Sequence, residues 1–238
     1  MTATTTTTPL IAENAALETV SVDMYRDIHK GIRHGLFSVT FEAGQVDPHD
    51  QAAVRRLADR WSDVVSVLVA HAEHEDEFVQ PVIERFNPSY ALDIAEAHPR
   101  LEAQMADLEV LADRAADACS EQARLLTHRL YLGLASFTAA YLQHQEFEEF
   151  EVMVMLSQQM TPEELRALDN AIVASIPPDM MAKSAALMLP AMNIVDQTEL
   201  FEGARAGVPP EVFAGMLALA ESILEPVRYR TLCDRLGV

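Results

Sequence analysis

His71-Ala72-Glu73-His74-Glu75 is echoed 73 residues later by His144-Gln145-Glu146-Phe147-Glu148, so a His-x-x-x-Glu element occurs twice. Each copy is followed at the same distance by a valine and an apolar run, Val79 to Ile83 and Val152 to Leu156. On a helix, a His and a Glu four residues apart share one face about one turn from each other. An imidazole nitrogen and a carboxylate can therefore reach one metal centre. Single histidines, His29 and His98, stand ahead of the two copies. Four helices would then each give ligands to a bundle core, an arrangement that suits a pair of iron ions.

The surrounding sequence supports four such helices. Strand-like alternation is scarce, glycines number eight, and prolines fall between apolar-periodic segments. The first helix is predicted near Asn14 to Val39, with Val22, Tyr25, His29, Ile32, Leu36 and Val39 in line. The second is predicted to open at Asp47-Pro48, an N-cap and first-turn pair, with the seam Leu57, Trp61, Val64, Leu68, His71, Glu75, Phe78, Val82. The third runs from about Asp93 to Ala118 with His98, Leu101, Met105 and Leu108 in line. The fourth runs from about Ser120 to Ser157 with Leu134, Phe137, Tyr141, His144, Glu148 and Met155. Four facing seams make an antiparallel four-helix bundle. Imidazoles and carboxylates in the middle of these stripes need partners, because burying them bare costs several kcal/mol each.

The remaining histidines behave differently. His34 and His128 sit roughly 140° and 160° around the helix from His29 and His144, so they face solvent or a flank. His49 shares a face with His71 but lies about 33 Å along the helix. His74, about 60° off the seam, is left open between ligand and exposed residue. Glu102, four after His98, completes a third His-x-x-x-Glu and is counted with the ligands. Glu73, Asp76, Glu77, Glu146 and Glu149 read as solvated helix-face charges. Pro99 disfavours helical geometry at His98, which predicts either a helix start or a kink there.

Composition limits the partners. The formal charge of −20 argues against nucleic acid and anionic membrane surfaces, since phosphates would be repelled. Cys119 and Cys233 are far apart and outside any Cys-x-x-Cys spacing, which disfavours a disulfide framework and points to an intracellular protein. The threonine tract from Met1 to Pro9 lacks the features of a secretory signal, and 1–14 reads as a disordered leader. No apolar stretch is long enough to span a bilayer. The expected protein is soluble and cytoplasmic.

The domain division predicted from these signals is a leader over 1–14, a bundle over 15–158 and a helical appendage over 159–238. Thr161-Pro162-Glu163-Glu164 is a capping box with proline in the first turn. Pro177-Pro178, Pro190, Pro209-Pro210 and Pro226 then cut the remainder into four or five short helices. This methionine-rich region carries no histidine and no catalytic signature. It is read as packing against the bundle, covering the site, or mediating oligomerisation, with its methionines in core positions.

The pattern of single His (His29), His-x-x-x-Glu (His71, Glu75), single His (His98) and His-x-x-x-Glu (His144, Glu148) resembles the hemerythrin-like, or HHE cation-binding, family over about residues 20–158. Asp27-Ile28-His29-Lys30-Gly31-Ile32-Arg33, Val79-Gln80-Pro81 and His98-Pro99-Arg100-Leu101-Glu102 add to the resemblance. The resemblance implies a non-haem di-iron centre with an oxo or hydroxo bridge, two bridging carboxylates (Glu75 and Glu148) and four terminal histidines (His29, His71, His98 and His144). It also implies binding of, or reaction with, O2, peroxide or nitric oxide. Oxygen-carrying members place a second His four residues after the third-helix His, where this chain has Glu102. That departure argues against simple reversible oxygen carriage and toward oxygen-activating or peroxide chemistry. Tyr25 and Tyr141 lie four and three residues before His29 and His144. Both read either as hydrogen-bond donors to a bound ligand or as core fillers. The competing functions are a non-catalytic sensor or carrier, a di-iron oxidase or oxygenase of a small organic substrate, and a structural bundle without metal.

Overall fold

The computed structural model describes residues 20–238, so the predicted leader over 1–14 lies outside the described residues. Among the described residues every regular element is helical. The first six helices are α1 (Arg26–Gln45), α2 (Gln51–His74), α3 (Gln80–Phe86), α4 (Pro88–Asp117), α5 (Ser120–Phe147) and α6 (Met153–Gln159). Five more follow: α7 (Pro162–Ser175), α8 (Pro178–Ala191), α9 (Ile194–Gly207), α10 (Pro210–Ile223) and α11 (Pro226–Leu236). Two π-helical turns, Glu75–Val79 and Glu148–Val152, join α2 to α3 and α5 to α6. Among the described residues, no helix is long and apolar enough to cross a membrane.

Several predicted boundaries move, for local reasons. Among the described residues the first helix begins at Arg26, where the Asp23 carboxylate accepts from the backbone N–H groups of Tyr25 and Arg26 at 3.1 and 3.0 Å; the predicted start near Asn14 lies outside the described residues. The second is capped by Asp50, which accepts from the Ala53 N–H at 3.0 Å, and not by Asp47. Asp47 belongs to the preceding turn, where it accepts from the His49 N–H at 2.9 Å. The third helix begins at Pro88 and runs unbroken through Pro99. His98 thus stands inside a helix, not at its start. The Asn87-Pro88 pair starts α4 well because a first-turn proline lacks only an N–H that would have had no partner.

Helix α1 packs on α2 and α5, and α4 packs on the same two. Their facing stripes bury Ile32, Leu36, Val39, Leu57, Trp61, Val64, Leu68, Leu101, Met105, Leu134 and Phe137 in one core. Trp61 meets Phe137 edge-on at 5.5 Å. Burial of each large side chain contributes about 1.5–3 kcal/mol. A second core beyond it gathers Tyr25, Val79, Ile83, Ala91, Ile94, Val152, Met153, Leu156 and Leu165. The histidines and glutamates of the seams lie between these two apolar layers. In chain order α1 passes from Tyr25 through His29 to Ile32, and α4 from Ile94 through His98 to Leu101.

The C-terminal helices make a third core from Leu189, Met192, Phe201, Ala220, Leu224, Leu232 and Leu236. The predicted capping box forms at α7: the Glu164 N–H donates to Thr161 Oγ1 at 3.2 Å and the Thr161 N–H to Glu164 Oε2 at 2.8 Å. Helix α8 packs on α1 and α2. The approach is close enough that a Cβ at Gly31 would come within 3.0 Å of the Met188 backbone. Met180, Met188, Met192 and Met216 pack into or against these cores.

Candidate metal centre

Helices α1, α2, α4 and α5 bring His29, His71, His98 and His144 to one level, and the two π turns begin at Glu75 and Glu148. In each turn the carbonyl of the glutamate accepts from an N–H five residues on, Gln80 for Glu75 and Met153 for Glu148. Such a widened turn shifts the register of a helix locally and recurs at functional sites. It lets His71 and Glu75, or His144 and Glu148, face inward while the apolar seam resumes at Val79 or Val152.

The ligand atoms form two groups. His29, His71, Glu75 and Glu148 each offer one atom within 4.8 Å of all the others, and so do Glu75, His98, His144 and Glu148. Both carboxylates are shared, and each divides its oxygens between the groups. Glu75 Oε1 lies 3.5 Å from His71 Nε2 and its Oε2 lies 3.5 Å from His98 Nε2. Glu148 Oε2 lies 3.4 Å from His29 Nε2 and its Oε1 lies 2.9 Å from His144 Nε2. Side-chain exposure is 0% for His29 and Glu148, 4% for His98 and His144, 7% for Glu75 and 9% for His71.

Cations fit this donor set. All four carboxylate oxygens and His98 Nε2 are buried without a hydrogen-bond partner. Buried polar atoms of this kind are costly unless something satisfies them. His29 Nε2 and His71 Nε2 face each other at 3.2 Å, a distance at which two unprotonated nitrogens repel unless a proton or a cation lies between them. Imidazole and carboxylate together suit iron, manganese or zinc.

Two further carboxylates orient the single histidines. The Nδ1–H of His29 donates to Glu149 Oε1 at 2.9 Å, and Arg33 grips both oxygens of Glu149 at 2.7 Å each. The Nδ1–H of His98 donates to Asp76 Oδ1 at 2.8 Å. With Nδ1 as donor, Nε2 presents its lone pair to the centre. Each orienting acid crosses from the other half of the repeat: the one after α2 reaches α4, and the one after α5 reaches α1. Glu149, read as a solvated charge, is thus largely covered, whereas Asp76 is exposed as expected and in addition pairs with His98. Glu73, Glu77 and Glu146, read in the same way, are indeed exposed.

The electrostatics divide the histidines of the metal-free site. Burial lowers His71 and His144 to about 4 each, so both are neutral bases near pH 7. Burial also acts to lower His98, but Glu75 and Asp76 outweigh it and raise the ring to about 9. Burial raises Glu148. At Glu149 the effect of burial is overcome by His29 and Arg33, which hold the carboxyl at about 2.

Glu102 departs from its predicted role. It is exposed and belongs to neither group. Helix α4 is regular at this point, and Glu102 stands roughly 80° from the middle of the stripe formed by His98, Leu101, Met105 and Leu108. His74 is half-buried beside Phe78 and also lies outside both groups, while His34, His49 and His128 are exposed. Tyr25 and Tyr141 are buried against the site. The Tyr25 ring lies 4.9 Å from His29 and 6.5 Å from His71, and the Tyr141 ring 5.8 Å from His144. Burial, together with the charges of Glu75 and Glu148, raises both phenols well above their ordinary value. The Tyr25 hydroxyl has no hydrogen-bond partner. Compared with known protein families, curated proteins and solved structures, the chain matches none.

Proposed function

We propose that the chain is a hemerythrin-like, non-haem di-iron protein, an antiparallel four-helix bundle that binds or activates O2 or a related small molecule such as peroxide or nitric oxide. The observation that carries this reading is the pair of four-residue donor groups that share Glu75 and Glu148, each carboxylate offering one oxygen to each group. When bound, a ferrous pair supplies two electrons and an open coordination position. His29, His71, His98, His144, Glu75 and Glu148 would hold it. Asp76 and Glu149 fix the tautomer of their histidines. The apolar layers on either side exclude water. Tyr25 and Tyr141 keep their protons at all ordinary pH, so each is a hydrogen-bond donor beside the site.

The burial of all six ligand side chains favours a diatomic or similarly small ligand over an organic substrate. A sensor is the second reading. One observation favours it: α8 lies against α1 at Gly31, two residues from His29, and Lys30 is ion-paired with Asp196 in α9. Steady consumption of O2 or peroxide with an added reductant would favour turnover. A metal-dependent change in oligomeric state or partner binding would favour sensing.

The deciding measurement is the iron content and ultraviolet-visible spectrum of protein from iron-supplied cells. About two irons per chain are expected, with near-ultraviolet bands that are lost in His71→Ala. A chain that takes up no metal after anaerobic loading would sink the reading.

A further inference from the structure

We infer that the two cation positions are inequivalent, and that the one held by His98 and His144 exchanges its ion, with Asp76 as the positioning residue that controls release. The inference rests on the di-metal reading above. It follows from how differently the two halves of a near-symmetric site are held from outside.

On the α1 side the restraint is layered. His29 is fully buried and donates to Glu149, whose side chain is 20% exposed. Arg33 clamps both oxygens of that carboxylate. Bidentate charge-assisted bonds of this kind are among the strongest available to side chains. Helix α1 is itself covered. Met188 of α8 lies where a Cβ on Gly31 would be, Lys30 is ion-paired with Asp196, and Arg26 reaches Glu199 at 3.4 Å. Moving His29 outward therefore requires breaking the Arg33–Glu149 clamp and lifting α1 from α8.

On the α4 side the restraint is a single bond. Asp76 is 53% exposed, and among the described residues its ion-pair partner is His98 alone. Helix α4 packs chiefly on α2, α3 and α5, with α8 and its followers gathered on the α1 side. Pro99 removes the N–H that would have bonded the Ala95 carbonyl, so the helix is weakest next to His98. The carboxylate that orients His98 is thus half-exposed and has no second clamp, where Glu149 on the other side is held by Arg33. Partners that orient a ligating histidine typically change metal affinity by about 10–100-fold.

The test uses the full chain loaded anaerobically with Co(II), whose absorbance reports coordination, followed by transfer to excess chelator. Two release phases of equal amplitude are expected. Asp76→Asn should speed the fast phase about 10–100-fold and leave the slow phase unchanged. Glu149→Gln should speed the slow phase. Asp76 is half-exposed, so its variant is expected to keep the wild-type circular dichroism, and it decides the matter even where Glu149→Gln fails to fold. Two bound ions leaving in one phase, or an Asp76→Asn variant that speeds only the slow phase, would overturn the inference while leaving the di-metal reading intact. Failure to bind a second ion would overturn both.

Discussion

His71 and His144 are bases buried in the neutral form, and in a metal-free protein this has a consequence for stability. Their folded-state values near 4 lie below the ordinary 6.5, so the unfolded chain binds more protons between those limits. Their contribution is present in full above about pH 6.5 and is lost as the pH falls toward 4. His98 has the opposite sign: raised to about 9, its contribution is full below about 6.5 and is lost as the pH rises through 9. Metal-free protein is therefore expected to be most stable near pH 6.5. Denaturant midpoints measured at pH 5, 6.5 and 8.5 check this; a midpoint that rises steadily from pH 5 to 8.5 would show that His98 does not carry the raised value. At this scale the repeat, with the single histidines His29 and His98, picked out the six residues that the structure gathers into two groups able to hold a metal ion. It did not reveal Asp76 and Glu149 as partners, although both follow the shared glutamate in matching positions. Their partners, His98 and His29, belong to other helices, and helical spacing carries no information about which helix lies alongside.

The elements follow from their seams. Apolar residues at three- and four-residue steps bury one stripe of each helix, and the stripes continue across the two π turns. Nothing in the spacing announced those turns, which begin at Glu75 and Glu148. Pro99 shows the reverse balance. Local sterics disfavour a helical residue before proline, yet α4 continues, held by its packing on α2, α3 and α5. That continuity has a cost which substitution should expose. Pro99→Ala restores the missing backbone hydrogen bond and is expected to raise the stability of the protein by about 1–3 kcal/mol. Urea unfolding with an unchanged slope and a higher midpoint is the expected result. An unchanged midpoint would mean that α4 has already relaxed around the proline.

For the whole molecule, the layer of His and Glu lies between two apolar cores, and its carboxylate oxygens have no hydrogen-bond partner; on the proposed reading, cations satisfy them. Removing metal with a chelator should therefore lower Tm. A ligand present at 100 times its Kd stabilises by about 2.7 kcal/mol, and a chain of this size shifts by about 2–4 °C per kcal/mol. The expected fall is on the order of 5–10 °C, restored by Fe(II) or Co(II). Equal Tm values with and without metal would favour a bundle whose buried His and Glu residues pair among themselves. Of the roles considered for residues 159–238, packing against the preceding helices is the one visible, in α8 against α1 and α2.

The helical class, the four seams and the six residues that could hold metal were legible in residue order, because helical periodicity and a repeated His-x-x-x-Glu are properties of a single strand of sequence. Tertiary structure decided what periodicity cannot carry. It set which carboxylate oxygen faces which histidine, drew Asp76 and Glu149 across to the opposite half, left Glu102 in solvent and laid α8 against α1. Each of these depends on the distance between side chains on different helices, which only their packing determines.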